Sequence, residues 1–378
     1  MSARYSKVQW LVTLIGIFFY CLDIGTDVAL VVQYFQEENY LWMSLTALFV
    51  LTGMVVTQLF SYSWYLDDKE DALFYPKGKE ALSGVTEGGV IALHVFGLSI
   101  FTRYCHLLSR SFSVVWKGSY DQADNSGIHQ HLFRLATDLS MLKLFESFLE
   151  SVPQLLLQTY INLGHHESSV VQYVSIAFSF CSIAWALVDF RRCQKRSQPQ
   201  SREMPSGLPT MTYLFYKLFS ITSHILSLIL LLTLSTYSTI ALAVLWLLAT
   251  IWTHFLQTHF CSTKCLEFIY RGVIGVILTF TFFNVKRLNT KVPMTVYYVL
   301  SSTKNVAAIL LLGFLKPEAQ NTAYFLPVSC VIYAGTVLGM LCLLVYYRFL
   351  HHVGDADEVD GPQMQNEVTT RMRNFMQA

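Results

Sequence analysis

Ten apolar blocks, most of them about as long as a bilayer is thick, decide what this chain can become. They lie near residues 10–35, 41–66, 82–108, 132–163, 168–190, 211–234, 238–260, 265–284, 293–315 and 323–348. Crossing a hydrocarbon core takes roughly 20 helical residues. The chain therefore reads as an all-α polytopic membrane protein. Composition agrees: 53% of the 378 residues are hydrophobic and only 13% are charged, where a soluble domain carries about 25%. The first block is too long for a signal peptide and has no small-residue cleavage site, so a retained span is expected.

Charge in the connections sets their sides. "QEEN" (36–39), "GHHESS" (164–169) and "STYS" (235–238) contain no Lys or Arg, and "KPEAQN" (316–321) has only Lys316. The stretch 191–202 holds Arg191, Arg192, Lys195, Arg196 and Arg202, and 284–291 holds Lys286, Arg287 and Lys291. The loop after residue 101 holds Arg103, Arg110 and Lys117. Positive residues stay cytoplasmic, so the basic loops face in and the others face out.

That sorting puts 67–81 and 109–131 on one side although an apolar segment joins them. The same conflict surrounds 265–284. The economical solution is a segment that enters the membrane and returns, which needs cover from protein or a wet cavity. Gly84, Gly88, Gly89 and Gly97 in the first segment, and Gly272 and Gly275 in the second, suit close packing. The expectation is about eight transmembrane helices plus two re-entrant helices in two similar parallel halves. These are 1–190 and 211–350, joined by a cytoplasmic linker at 191–210 and followed by a tail at 351–378, with both termini cytoplasmic. Ten full spans is the alternative, and it puts Lys117 outside.

Ionisable residues fall where lipid-facing helices avoid them. Asp23 and Asp27 are four apart, on one face of the first helix. Lys143, Glu146 and Glu150 recur at helical spacing, Gln154 and Gln158 continue the stripe, and Pro153 is expected to kink that helix. Asp189, Lys217, His224, Glu267, Arg271 and Lys304 add to the set. A charge at the middle of an isolated span costs about 2.5–3.5 kcal/mol or more, so these groups belong in a bundle interior or in water. One reading pairs Asp23 or Asp27 with Lys143 or Arg271 to fix helix register. The other makes the same residues a polar track for lipid headgroups whose tails stay in the bilayer.

Other chemistry is not signalled. There is no GxxxxGK[ST], GxGxxG, EF-hand loop, HExxH or GxSxG. A conventional enzyme or an energised pump is not expected, nor is any cofactor or nucleic-acid partner. The eight cysteines have no framework spacing and are expected as free thiols. His254, His259, Cys261 and Cys265 lack a second pair at zinc spacing, so no metal site is expected.

The tail carries its own signal. Asp357-Glu358-Val359-Asp360 followed by Gly361 has the form of an executioner-caspase substrate. Such a protease grips the Asp360 carboxylate with arginines, and a small Gly361 lets the backbone into its cleft. Beyond it, Met364, Val368, Met372 and Phe375 fall at helical spacing after Pro362. That stripe is expected to form an inhibitory helix that docks on the cytoplasmic face until cleavage releases it. A membrane-skimming amphipathic tail is the alternative.

Two stretches carry a family resemblance: "LDIGTDVALVVQYF" (22–35) and "DLSMLKLFESFLESVPQLLLQTYI" (138–161). With "FSYSWYL" (60–66), "TYLFYKLF" (212–219) and "FTFFNVKRLNTKVPM" (280–294), they resemble the XK-related membrane proteins over about 10–350. The resemblance implies two similar halves with re-entrant helices. Its caspase-activated branch implies an energy-independent phospholipid scramblase of the plasma membrane that exposes phosphatidylserine on apoptotic cells. Asp23, Asp27, Glu146, Glu150 and Asp189 match acidic residues that the family places inside its bundle. Phospholipids including phosphatidylserine and executioner caspases are the implied partners, with a single-span accessory subunit left open. A gated transporter or channel for a small polar solute or ion is the alternative function, and a non-transporting scaffold the third.

Overall fold

The structure, a computed structural model, describes residues 5–74, 86–116, 125–164, 170–197, 207–256, 258, 260–261, 263–283 and 291–350. The tail residues Asp357 to Gly361, Met364, Val368, Met372 and Phe375 lie outside that set, as do Gly84, Lys117, His259, Lys286, Arg287 and 198–206 of the linker. Every described regular element is a helix. Two compact units divide the chain: 1–150 with 189–203, and 151–188 with 204–378.

The first unit opens with α1 (Lys7–Gln36) and α2 (Tyr40–Phe74). Ser6 caps α1 reciprocally: its Oγ accepts from the Gln9 N–H at 3.3 Å, and Gln9 Oε1 accepts from the Ser6 N–H at 2.6 Å. The third apolar block does not form one element. It is α3 (Glu87–Val95) and α4 (Ser99–Val115), separated at Phe96-Gly97-Leu98. Gly97 sits at φ +74°, where a Cβ is costly. The Gly97 N–H bonds the His94 carbonyl and the Leu98 N–H bonds the Leu93 carbonyl, at 3.2 and 2.8 Å. This is a Schellman stop, which satisfies carbonyls the ending helix would orphan.

The block near 132–163 is α5 (Asn125–Glu146), a π turn (Ser147–Ser151) and α6 (Val152–Gly164). Pro153 has no N–H to give the fourth carbonyl back, and its ring crowds that turn. The irregularity expected at Pro153 takes the form of a wider turn just before it. α7 (Val170–Ser197) follows and passes from the second unit into the first near residue 189.

In the second unit, α8 (Leu208–Leu234) packs on α12 (Phe325–Val345) through glycine. A Cβ on Gly335 would lie 3.3 Å from the Phe219 carbonyl oxygen, and one on Gly339 would lie 3.3 Å from the Ser220 nitrogen. α9 (Tyr237–Phe255) pairs with α10 (Lys264–Phe280), where a Cβ on Gly275 would collide with Thr250. Trp246 donates to the Gly272 carbonyl at 3.0 Å. The expected close packing is thus found at Gly97, beside Met54, and at Gly275. It is not found at Gly88 or Gly272, whose Cβ positions are open. α11 (Lys291–Leu315) completes the set, and Tyr213, Tyr216, Tyr298, Leu343 and Tyr346 form a buried core with Val188.

Six described helices are long and apolar enough to cross a membrane: Lys7–Gln36, Tyr40–Lys69, Leu208–Leu234, Tyr237–Phe255, Val292–Leu315 and Phe325–Leu350. α9 shows the consequence plainly. Ile240, Leu248, Trp252 and Phe255 stand exposed along it, an apolar surface that only lipid or another apolar partner accepts. All eight cysteines are free thiols.

Candidate functional site

The first unit gathers its charges at one place. α1 contributes Asp23 and Asp27, and α5 with its π turn contributes Lys143, Glu146 and Glu150. Asp27, Glu146 and Glu150 are buried, and Lys143 and Asp23 are partly so. Lys143 forms an ion pair with Glu146 three residues along its own helix. Asp23 also acts electrostatically on Lys143, and the Lys143 ammonium lies 4.7 Å from the centre of the Tyr20 ring. Cation–π attraction and two carboxylates thus hold one buried ammonium.

Asp27 and Glu150 share a side-chain hydrogen bond. Gly53 of α2 makes room for this arrangement: a Cβ there would lie 2.6 Å from Glu150 Oε2 and 2.9 Å from Glu150 Cβ. Gly16 does the same for Tyr104, whose hydroxyl would lie 3.0 Å from an added Cβ. The Tyr104 ring lies tilted against Tyr20, centroids 6.0 Å apart, and feels both Lys143 and Asp189. Asp189 accepts a weak 3.9 Å bond from the Cys193 thiol.

The expected attraction between Asp23 and Lys143 is present, and Glu146 adds a partner that was not expected. Lys143 forms its ion pair with Glu146, and Asp27 bonds Glu150. Arg271 belongs to the second unit, where it meets Glu267 at 3.5 Å and bonds Thr258 and His254. Gln154 is buried and Gln158 partly buried on α6, also in the second unit. Tyr20, Tyr104, Gly16 and Gly53 are site residues the sequence reading did not name. Tyr20 stood three positions before Asp23 on the same face; the glycines carried no comparable signal.

A second fixed point of this unit lies on the α3–α4 hairpin. Arg103 donates to the Ser61 hydroxyl and carbonyl, and His94 Nε2 meets the same hydroxyl at 3.1 Å. Among the described residues, no group of three or more His, Cys, Asp or Glu is placed to hold a metal ion.

The fold and site define an all-helical, multi-span membrane protein with a charged cluster buried among its helices. A profile of the XK-related proteins matches residues 11–352, and the chain belongs to the XK-related family. It is 49% identical to XK-related protein 9 of Tetraodon nigroviridis over 377 residues, covering 99% of both chains. It is 28% identical to XK-related protein 8 of the same fish, over 92% of this chain and 84% of that one. It is 30% identical to XK-related protein 8 of Gasterosteus aculeatus, over 92% and 85%.

Proposed function

We propose that this protein is a caspase-activated, energy-independent phospholipid scramblase of the plasma membrane that exposes phosphatidylserine on apoptotic cells. The observation that carries the reading is the buried network of Asp23, Lys143 and Glu146 with Asp27 and Glu150. Family membership and the likeness to XK-related protein 9 support it. Buried charge of both signs in an apolar helix set is expensive unless it is used, and a zwitterionic headgroup needs both signs. Asp189 flanks the network, while Arg271 lines the second unit's own polar cluster. Under this reading the chain has eight spans and two re-entrant elements, α3–α4 and α10, with two parallel halves and both termini in the cytoplasm.

The switch is proposed from the tail. Cleavage after Asp360 would remove 361–378, whose stripe of Met364, Val368, Met372 and Phe375 would otherwise hold the lipid path shut. Burying those side chains would contribute on the order of 5–10 kcal/mol before ordering costs, enough to bias a two-state element. Phosphatidylserine exposure after an apoptotic stimulus, in cells lacking their own scramblases, tests both parts. Exposure with the chain and none with Asp360→Ala is expected. Exposure with both would remove the Asp360 switch. Exposure with neither, given surface expression and cleavage, would replace lipid with a solute as the cargo.

A further inference from the structure

In the first unit α1 and α4 run antiparallel. Trp10 donates from its indole to the Leu108 carbonyl at 3.2 Å, while further along α1 Gly16 and Tyr20 meet Tyr104, one turn earlier on α4. The start of α1 and the end of α4 therefore lie at one level, and aromatic rings gather there. The Trp10 ring centre is 5.9 Å from that of Phe112 and 5.9 Å from that of Trp116, and the Phe112 and Trp116 rings stack at 6.3 Å. Lys7 extends over the Trp116 ring, its ammonium 4.7 Å from the centre, within the roughly 6 Å reach of a cation–π contact.

This cluster is not core. Trp116 is 50% exposed and Phe112 41%, and Lys7 is exposed beside them. Exposed rings gathered in one patch suit an interface better than bulk water, and Trp is enriched where a bilayer meets its headgroups. The boundary is marked on α1 itself: Ser6 caps the helix, and from Val8 onward Leu11, Ile15 and Phe18 stand exposed. Lys7 sits at that edge without a counter-charge. The first turn of α1 has no acidic residue, and the Lys7 ammonium has no ion pair or oxygen acceptor among the described residues for its three N–H donors. Lys69, an exposed lysine near the end of α2, instead pairs with Glu87.

We infer that Lys7, Trp10, Phe112 and Trp116 form a docking surface for an anionic phospholipid headgroup. Lys7 takes a phosphate or carboxylate oxygen, and the three rings lie against the glycerol backbone and the first methylenes of the chains. The rings favour a lipid over a soluble anion, which gains nothing from an apolar wall. Lys7 favours an anionic lipid over a zwitterionic one, whose own ammonium offsets its phosphate. The charge rule puts the end of α4 on the cytoplasmic side, where the leaflet is rich in anionic lipid. The surface is separate from the buried carboxyl cluster, since Asp23 lies about 24 Å deeper along α1 at helical rise. It rests on no transport reading: a lipid held here fixes the depth of α1, and with it the level of Asp23 and Asp27.

The test titrates the full chain in a maltoside detergent with dioctanoylphosphatidylserine, dioctanoylphosphatidylcholine or inorganic phosphate, and native mass spectrometry counts the molecules retained. Phosphatidylserine is expected to bind about fivefold more tightly than phosphatidylcholine. Lys7→Gln is expected to remove that excess and Lys7→Arg to keep it. Lys7 is exposed, so these variants read binding and not folding. Trp116→Leu keeps an apolar side chain but takes the ring from under the ammonium. It is expected to weaken phosphatidylserine binding while the thermal melt stays in place. A preference for phosphatidylserine that survives Lys7→Gln would overturn the surface and place the selectivity elsewhere. Equal binding of the two lipids by the unaltered chain would overturn it too, as would undiminished binding in Trp116→Leu. Inorganic phosphate that displaces phosphatidylserine in a Lys7-dependent way would overturn the lipid as occupant and leave a site for a soluble anion.

Discussion

Arg103 grips Ser61 with two prongs: its Nε donates to the Ser61 hydroxyl at 2.8 Å and its Nη2 to the Ser61 carbonyl at 2.9 Å. The second unit repeats the fork on a different pair. Arg271 donates from Nε to the Thr258 hydroxyl at 3.1 Å and from Nη2 to the Thr258 carbonyl at 2.7 Å. Arg103 lies on α4, after the short α3, and Arg271 on α10, after the long α9; a histidine stands near each fork, His94 on the Ser61 hydroxyl and His254 on Arg271 itself.

The fork makes Arg103→Lys a severe change despite equal charge. A lysine ammonium cannot present two parallel donors at guanidinium spacing, so one of the two bonds to Ser61 is lost. A loss of about 1–2 kcal/mol is expected, read as a lower unfolding temperature in detergent by tryptophan fluorescence. An unchanged melt would mean that the hairpin is held elsewhere.

Gly53 is where the acidic cluster meets α2 most tightly. Gly53→Ala places a methyl against Glu150 Oε2 and Cβ, and Glu150 must swing away from Asp27. Overpacking of this kind costs about 1–3 kcal/mol, and transport is expected to fall with it. Gly25→Ala is the matched control, because nothing lies within 4 Å of its Cβ position. A better helix former there is expected to be neutral or stabilising.

Lys143 offers a test of what the cluster is for. Removing one partner of a buried ion pair leaves the other uncompensated, about 3–5 kcal/mol, whereas replacing both by apolar groups is often neutral. Lys143→Met is thus expected to destabilise strongly, and Lys143→Met with Glu146→Leu to recover most of the loss. If the recovered double variant still moved lipid at the original rate, the Lys143–Glu146 pair would be a register pin and not part of a path.

Much of this fold was legible because lipid permits so few solutions. Among the described residues each apolar block is built of helix, since a backbone without water must bond to itself, and the charged residues of α1 and α5 converge as their one-face spacing implied. What stayed hidden was set by single side chains. The stop at Gly97 lies inside an unbroken apolar run, so no hydropathy change marks it; only a positive φ does. Pro153 announced an irregularity without saying that it would be a π turn. The Lys143–Glu146 ion pair went unnamed although Glu146 lies within reach of Lys143 on its own helix, where a local bond needs no tertiary approach.

Gly272 and Gly275 look alike in sequence and differ in structure. Gly275 faces α9 so closely that a Cβ would meet the Thr250 hydroxyl and come within 3.1 Å of the Thr250 nitrogen. Backbone cannot rotate aside as a flexible side chain does, so Gly275→Ala must push α10 off α9, at about 1–3 kcal/mol. Gly272 contributes only its carbonyl, to the Trp246 indole at 3.0 Å, and its Cβ position is open. Gly272→Ala keeps that carbonyl and is expected to be neutral or to stabilise by up to about 1 kcal/mol. Paired thermal melts of the two variants check this. Equal losses would mean that α9 and α10 approach each other evenly along their length, against the one-sided contact at Thr250.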